Sequence, residues 1–168
     1  ISSGSISVGD TITVMPSKET AKVSTILQGD QSVTRSSKGH AVTLCLDTEI
    51  DVSRGCVLQK DYTLKTGSMF TASILWMDDS SLVAGKNFLL KIGTQQVPAT
   101  IMNIKYKIDV NTGAEVYSET IYKNEIAYCE ISAGSKLVFD EFSNNRELGA
   151  LLLIDRITNQ TSACGVVE

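Results

Sequence analysis

The feature that most constrains this chain is a succession of short apolar runs, rich in β-branched residues and bounded by Gly, Ser, Asn or Asp, with no sustained helical period. Within these runs every second residue is apolar, which is the pattern of a strand that buries one face. The first runs are residues 11–15, 21–27 and 41–46. The sequence therefore predicts a mostly β fold.

A second series of apolar runs opens at Met69 and is long enough for a closed barrel. It comprises residues 70–77, 88–92, 97–106, 125–131, 148–154 and 162–167. The polar residues 59–68 predict a linker before it. We therefore expect two consecutive β-barrels, the first over residues 1–62 and the second over residues 63–168.

Alternation also predicts which faces are buried. Val42, Leu44 and Leu46 are expected to face inward, which leaves Cys45 on the other face with Thr43. By the same rule Cys129 is expected to be a core thiol, between the core residues Ala127 and Ile131. The apolar run at residues 148–154 predicts a strand buried on both faces, with Leu151 and Leu153 on one face and Leu152 and Ile154 on the other.

Composition excludes several classes of function. The formal net charge is −4 and the basic residues are scattered, so nucleic acid is a poor partner. No run approaches the roughly 20 apolar residues of a membrane span. The cysteines at positions 45, 56, 129 and 164 lack the spacing of a zinc site or a disulfide framework, which predicts free thiols in a cytoplasmic protein. Because the chain starts with Ile-Ser-Ser-Gly, we interpret it as an excised piece.

A phosphate-binding loop is absent from the sequence. The motif G-x-x-x-x-G-K-[ST] is approached only at Gly85-Lys86, where Ser80 replaces the first glycine and Asn87 replaces the hydroxyl residue. We interpret this segment as a hairpin turn. The chain is therefore expected neither to bind nor to hydrolyse GTP.

Two acidic segments allow a metal site or a turn. Residues 109–113 begin like a calcium loop, but the glycine comes one place early and Thr120 stands where the loop needs Glu, so a hairpin is the better interpretation. Asp78 and Asp79 are adjacent carboxylates, whose side chains are expected to diverge in a solvated turn.

His40, the single histidine, is the one residue around which a catalytic triad would have to be built, and it lacks an evident partner. Lys105 and Lys107 flank Tyr106 and would suit nucleic acid, but alternation places the tyrosine on the opposite face. We therefore predict no catalytic, cofactor-binding or metal-ligating residue in this chain.

Two groups of motifs resemble a known family. Residues 4–10 (GSISVGD), 39–44 (GHAVTL) and 51–58 (DVSRGCVL) resemble the second domain of GTPases of the elongation-factor-Tu class. The second half resembles the GTP-binding large subunit of bacterial sulfate adenylyltransferase (ATP sulfurylase), on the motifs ILWM (74–77), LVAGK (82–86), NEIA (124–127) and LIDRITNQT (153–161).

The resemblance implies two barrels of the domain 2 and domain 3 type that follow a GTPase domain, with the first strand of the first barrel truncated. GTP and Mg²⁺ would bind that missing domain, and no cofactor would bind this part. In the family, GTP hydrolysis helps drive formation of adenylyl sulfate from ATP and sulfate, in sulfate assimilation and cysteine biosynthesis. Adenylyl transfer belongs to the small subunit, and some relatives carry an adenylyl-sulfate kinase after the second barrel.

The chain departs from the family pattern at three positions. Cys56 stands where the family usually has Asp, Phe142 where it often has Tyr, and Cys164 where a small residue precedes the final glycine. None of these replaces a residue with a catalytic role.

The sequence suggests three functions. The leading hypothesis is a non-catalytic coupling module that braces the GTPase domain and helps dock the catalytic small subunit, with neither nucleic acid nor membrane as a partner. The alternative is an aminoacyl-tRNA-facing module of a translation GTPase. A third, an independent enzyme centred on His40, lacks a nucleophile, base or metal cluster in the sequence.

Overall fold

The structure, a computed structural model, describes residues 1–61 and 64–168. Nearly all of its regular elements are strands, which confirms the predicted mostly β fold. The chain divides into unit 1, Ile1–Leu64, and unit 2, Lys65–Glu168. The boundary predicted between residues 62 and 63 lies outside the described residues.

Unit 1 contains seven strands that form an open half-barrel within its described part. A five-stranded sheet has the order β4-β3-β2-β7, with β6 also paired to β3, and β1 pairs with β5. The strands are β1 Ser5–Ser7, β2 Thr11–Met15, β3 Glu19–Gln28, β4 Gln31–Val33, β5 Arg35–Ser37, β6 Thr43–Leu46 and β7 Val57–Gln59.

The core of unit 1 is small. Ile6, Ile12, Val23 and Ile26 form its buried cluster. Val42, Leu44 and Leu46 pack against this cluster as predicted, whereas Thr43 and Cys45 are exposed. Alternation within β6 therefore orients its side chains as the sequence indicated.

Unit 2 contains nine strands and one helical turn. The elements are β8 Lys65–Trp76, β9 Leu82–Val83, β10 Asn87–Ile92, β11 Gln95–Ile108, β12 Glu115–Val116, β13 Thr120–Ile121, β14 Ile126–Phe139, α1 Arg146–Gly149, β15 Ala150–Ile154 and β16 Thr161–Val167.

Six of these strands close into an antiparallel barrel. The order is β10-β15-β16-β8-β14-β11, and β11 returns to pair with β10. Every backbone edge of the closed sheet is thus paired, with β12 added alongside β11.

Inward-facing residues of the barrel strands form one core in unit 2. It includes Trp76 and Phe88, whose rings meet edge to face at 5.7 Å between centroids. Cys129 is fully buried in this core, between Ala127 and Ile131 in the sequence alternation, as predicted. Burial raises the pKa of the Cys129 thiol to about 12, so the thiol is unreactive at neutral pH.

The prediction of a linker over residues 59–68 is wrong for residues 65–68, which belong to a strand. β8 begins at Lys65, and Lys65, Thr66 and Gly67 pair with the last residues of β14. The polar composition of this segment concealed a strand, because its pairing partner lies some 70 residues further along the chain. At the other end of the predicted linker, Gln59 also belongs to a strand.

The last long apolar run is also divided differently from the prediction. Residues 146–149 form α1, because the Asn145 side chain accepts hydrogen bonds from the backbone N–H groups of Glu147 and Leu148. β15 therefore begins at Ala150 instead of residue 148.

The two turn predictions had different outcomes. Residues 109–113 form the predicted hairpin, in which β11 pairs with β12 and the Asp109 carboxylate accepts from the Asn111 backbone N–H. Gly85-Lys86 is a turn with a positive φ at Gly85, but it is not a hairpin turn. The strands on its two sides do not pair with each other, because β9 pairs with β13 and β10 pairs with β11 and β15.

Candidate functional site

An uncharged band crosses the outside of the unit 2 barrel. Its first row runs across five adjacent strands in register, through Ile108, Ile126, Leu75, Cys164 and Leu152. All five side chains are half-buried, although they lie on the outer face. Apolar side chains in neighbouring strands shield one another in this way.

A second row lies two residues further along the same strands. It consists of Tyr106, Tyr128, Ser73, Val166 and Ala150. We call these ten residues the outer band. None of them carries a formal charge at neutral pH.

Part of the outer band forms a groove of about 620 Å³. Its walls include Leu75, Leu152, Cys164 and Val166, with Lys91 of β10 at one end and Glu147 where the groove reaches α1. A largely apolar groove with a few charged groups at its margin is typical of a binding surface.

The apolar residues on both faces of β15 were the sequence signal for this surface. In β15, Leu151 and Leu153 are buried in the core as predicted, but Leu152 and Ile154 on the other face are only half-buried. Burial on both faces was therefore an overestimate. The outer face is apolar and remains partly accessible.

Gly165 brings two strands close together beneath the groove. A Cβ atom at this position would lie 2.5 Å from the Ser73 carbonyl oxygen and 2.7 Å from Cγ2 of Ile74. Only a residue without a side chain fits there, so Gly165 fixes the spacing of β8 and β16 under the band.

Two aromatic rings form one end of the outer band. Tyr106 and Tyr128 stack with their centroids 5.1 Å apart and their planes at 11°. Partial burial raises the pKa of Tyr106, and the neighbouring Glu115 carboxylate raises it further. The Tyr106 phenol is therefore a neutral hydrogen-bonding group at this end of the band.

Carboxylates flank the band along one side. Glu130 lies opposite Thr71, and the Glu168 backbone N–H donates to the Thr71 carbonyl oxygen. These two glutamates therefore form an acidic row beside the second row of the band, which includes Tyr128, Ser73 and Val166. The Ser73 hydroxyl donates to Glu168 at 2.8 Å. Glu147 continues the acidic side where the groove reaches α1.

A polar network stabilises one end of the barrel. The Asp78 carboxylate accepts hydrogen bonds from the backbone N–H and the hydroxyl of Ser80, both at 2.9 Å, and from the buried Ser162 hydroxyl at 3.0 Å. Asp79 instead pairs with Lys123 at 2.6 Å. The two carboxylates diverge in a turn, as predicted, so they do not form a catalytic pair.

Replacing Asp78 is expected to change the pH dependence of stability. The backbone N–H of Ser80, its hydroxyl and the Ser162 hydroxyl lower the Asp78 pKa. This carboxylate therefore stabilises the fold above the ordinary Asp pKa of about 3.9, and the contribution is lost as pH falls through the folded-state value. Asp78→Asn should lower the free energy of unfolding at pH 7 and differ less from wild type near pH 3.

Urea titrations at several pH values measure this effect. Asp79→Asn is the matched control, because the neighbouring side chain is 90% exposed and makes a single surface ion pair. Equal losses in the two variants, or a loss from Asp78→Asn that is the same at pH 7 and pH 3, would contradict the role given to the network.

Other positions considered in the sequence have local structural roles. His40 is exposed, and its Nδ1 lies 3.1 Å from the Ser37 carbonyl oxygen at a turn. Lys107 lies on the face opposite Tyr106, as expected, and pairs with Glu125 at 2.6 Å. Lys105 occupies an irregularity in the pairing of β11 with β14 and is exposed.

Residues 1–61 and 64–168 contain no group of three His, Cys, Asp or Glu side chains positioned to hold a metal ion. All four cysteines are free thiols, as predicted. Across the same described residues, no helix has the length and apolar character needed to cross a membrane.

Sequence comparison assigns the second unit to a family. The model of the GTP-eEF1A C-terminal domain-like family matches residues 69–168. The chain belongs to this family. The match covers the whole outer band and all of the closed barrel except the first four residues of β8.

Relatives similar over the whole chain confirm the resemblance seen in the sequence. Sulfate adenylyltransferase subunit 1 of Francisella tularensis is 38% identical over 98% of this chain and 35% of its own length. The bifunctional enzyme CysN/CysC of Xylella fastidiosa is 36% identical over 100% of this chain and 27% of its own length. The chain thus spans only about a quarter to a third of these relatives.

Solved structures share the fold at lower identity. Sup35 complexed with GDP superposes with a TM-score of 0.91 and 23% identity, over 99% of this chain and 42% of that one. Elongation factor SelB from Methanococcus maripaludis superposes with a TM-score of 0.77 and 24% identity, over 99% of this chain and 37% of that one. These likenesses confirm the predicted architecture of elongation-factor-Tu-like barrels.

Proposed function

We propose that this chain is the non-catalytic two-barrel region of the GTP-binding subunit of a cytoplasmic sulfate adenylyltransferase. In the parent protein, GTP and Mg²⁺ bind a separate GTPase domain, and GTP hydrolysis is coupled to formation of adenylyl sulfate from ATP and sulfate. The barrels brace the GTPase domain and dock the catalytic small subunit. The observation that carries this proposal is the 38% identity to sulfate adenylyltransferase subunit 1 over 98% of the chain.

The outer band supports a docking role. It is a largely apolar surface on a closed barrel, so its side chains contribute little to the core inside. Such surfaces stabilise protein complexes when a partner removes them from water. We assign this surface to the small subunit.

The test is direct binding between the chain and the catalytic small subunit from the same source, measured by biolayer interferometry. We expect saturable binding that weakens at least tenfold in Leu152→Asp. Ile157→Asp is the matched control, because Ile157 is 90% exposed at the tip of the hairpin that joins β15 to β16 and lies outside the band. Circular dichroism verifies that both variants are folded.

Failure of the small subunit to bind the wild-type chain would refute the docking role. If the small subunit binds and Leu152→Asp leaves that binding unchanged, the small subunit is a partner but its site lies elsewhere on the chain.

One observation favours the translation alternative. The stacked pair Tyr106 and Tyr128 beside Lys105 offers a platform on which a nucleotide base could stack. The acidic residues Glu115, Glu130 and Glu168 around it oppose the approach of phosphates, and the net charge is −4. Binding of aminoacyl-tRNA at physiological salt, abolished by Tyr128→Ala, would reverse this ranking.

A further inference from the structure

The charges around the outer band are distributed asymmetrically. Glu130, Glu168 and Glu147 lie along one long side, and Glu115 adjoins the band at β12. Among the basic groups, Lys91 pairs in register with Leu152 at the β10 end, and Lys105 precedes Tyr106 in the irregularity of β11. The acidic side therefore favours a partner that carries positive charge along the matching edge.

The part of the band over the groove matches a helix in its dimensions. A helix that covers Leu75, Val166 and Leu152 crosses the adjacent strands β8, β16 and β15, which is about 10 Å at 4.8 Å per strand. That length corresponds to about two turns of α-helix. The two rows of the band lie about 7 Å apart, which suits the apolar stripe of one helix.

Addition of an extended strand is disfavoured on this surface. The barrel strands beneath the band are paired on both sides, so they present no free row of backbone N–H and C=O groups. Recognition must therefore use side chains, as when an amphipathic helix lies in an apolar groove.

We infer that the outer band binds an amphipathic helix of a partner protein whose apolar stripe is flanked on one side by Lys or Arg residues. The apolar stripe covers Leu75, Leu152 and Val166, and the basic flank meets Glu168 and Glu147. This inference rests on the proposed function in one respect, since both treat the outer band as a docking surface. It adds the chemistry of the docked segment.

Two designed peptides of about 18 residues test the inference, since shorter isolated helices are marginal in water. Both carry the same leucine stripe, and they differ only in whether Lys or Glu flanks one side of it. Fluorescence anisotropy with the wild-type chain should show at least tenfold tighter binding of the Lys peptide at low salt. The preference should shrink in 0.5 M salt, where the Debye length is roughly 4 Å.

Variants of the chain separate the apolar contribution from the charge contribution. Leu152→Asp should weaken binding of the Lys peptide at least tenfold, and Ile157→Asp should not. The double variant Glu147→Lys, Glu168→Lys should reverse the preference toward the Glu peptide. Glu19→Lys, Glu49→Lys is the matched control for net charge, because both glutamates are exposed in unit 1.

The remaining outcomes would overturn the inference. Equal affinity for the two peptides, absence of binding, or binding insensitive to Leu152→Asp excludes a basic-flanked helix on this surface. Concentration-dependent self-association of the chain that Leu152→Asp abolishes assigns the band to a second copy instead. Because the peptide experiment does not contain the small subunit, its failure is distinguishable from failure of the proposed function.

Discussion

Leu153→Ala is expected to lower the free energy of unfolding by about 2–5 kcal/mol. Leu153 is 0% exposed in the core of unit 2, and its strand position pairs with Leu90 on one side and Ala163 on the other. Removing the isobutyl group forfeits its transfer free energy and leaves a cavity, because barrel strands paired on both sides have little freedom to collapse into it.

Ile157→Ala is the control for this substitution. It also truncates a large aliphatic side chain, but Ile157 is 90% exposed, so we expect a change below about 0.5 kcal/mol. Denaturant titrations of the two variants measure the difference. If their midpoints coincide, the assignment of Leu153 to the inner face of β15 is wrong.

Local alternation accounts for the parts of the fold that sequence predicted well. β2 spans Thr11–Met15, as the apolar pattern indicated, and Cys129 is buried where alternation placed it. Both depend on residues one or two positions apart, because the side-chain period of a strand is a local property. Turn composition, which is also local, identified the hairpin at residues 109–113.

Long-range pairing accounts for the parts that sequence did not predict. Leu75 meets Cys164 only because β8 pairs with β16, and Ser162 reaches Asp78 across 84 positions of sequence. The outer band exists only after five strands have been brought into register. Its apolar residues were visible in the sequence, but their common surface was not.

The missed beginning of β8 has a similar cause. Lys65 and Thr66 do not show an apolar alternation that would mark a strand, and β14 supplies their partners from Phe139 and Val138. Tertiary pairing therefore overrides the local polarity that predicted a linker.

Amide hydrogen exchange is expected to be faster in unit 1 than in unit 2. The buried cluster of unit 1 is Ile6, Ile12, Val23 and Ile26, in an open half-barrel, whereas unit 2 has a larger core inside a barrel without a free edge. Less buried apolar surface gives a smaller free energy of opening, and each 1.4 kcal/mol corresponds to about a tenfold change in exchange rate. We expect the slowest amides of β3 to exchange at least tenfold faster than those of β14.

Mass spectrometry of peptic peptides covering β3, Glu19–Gln28, and β14, Ile126–Phe139, measures this difference after correction for intrinsic exchange rates. A barrel with every edge paired opens only when several strands separate together, so the amides of β14 report its cooperative opening. β3 pairs with β2, β4 and β6 in a sheet that does not close in the described part of unit 1, so smaller fluctuations expose its amides. Equal protection of β3 and β14 would show that core size and sheet closure do not set the relative stability of the two units.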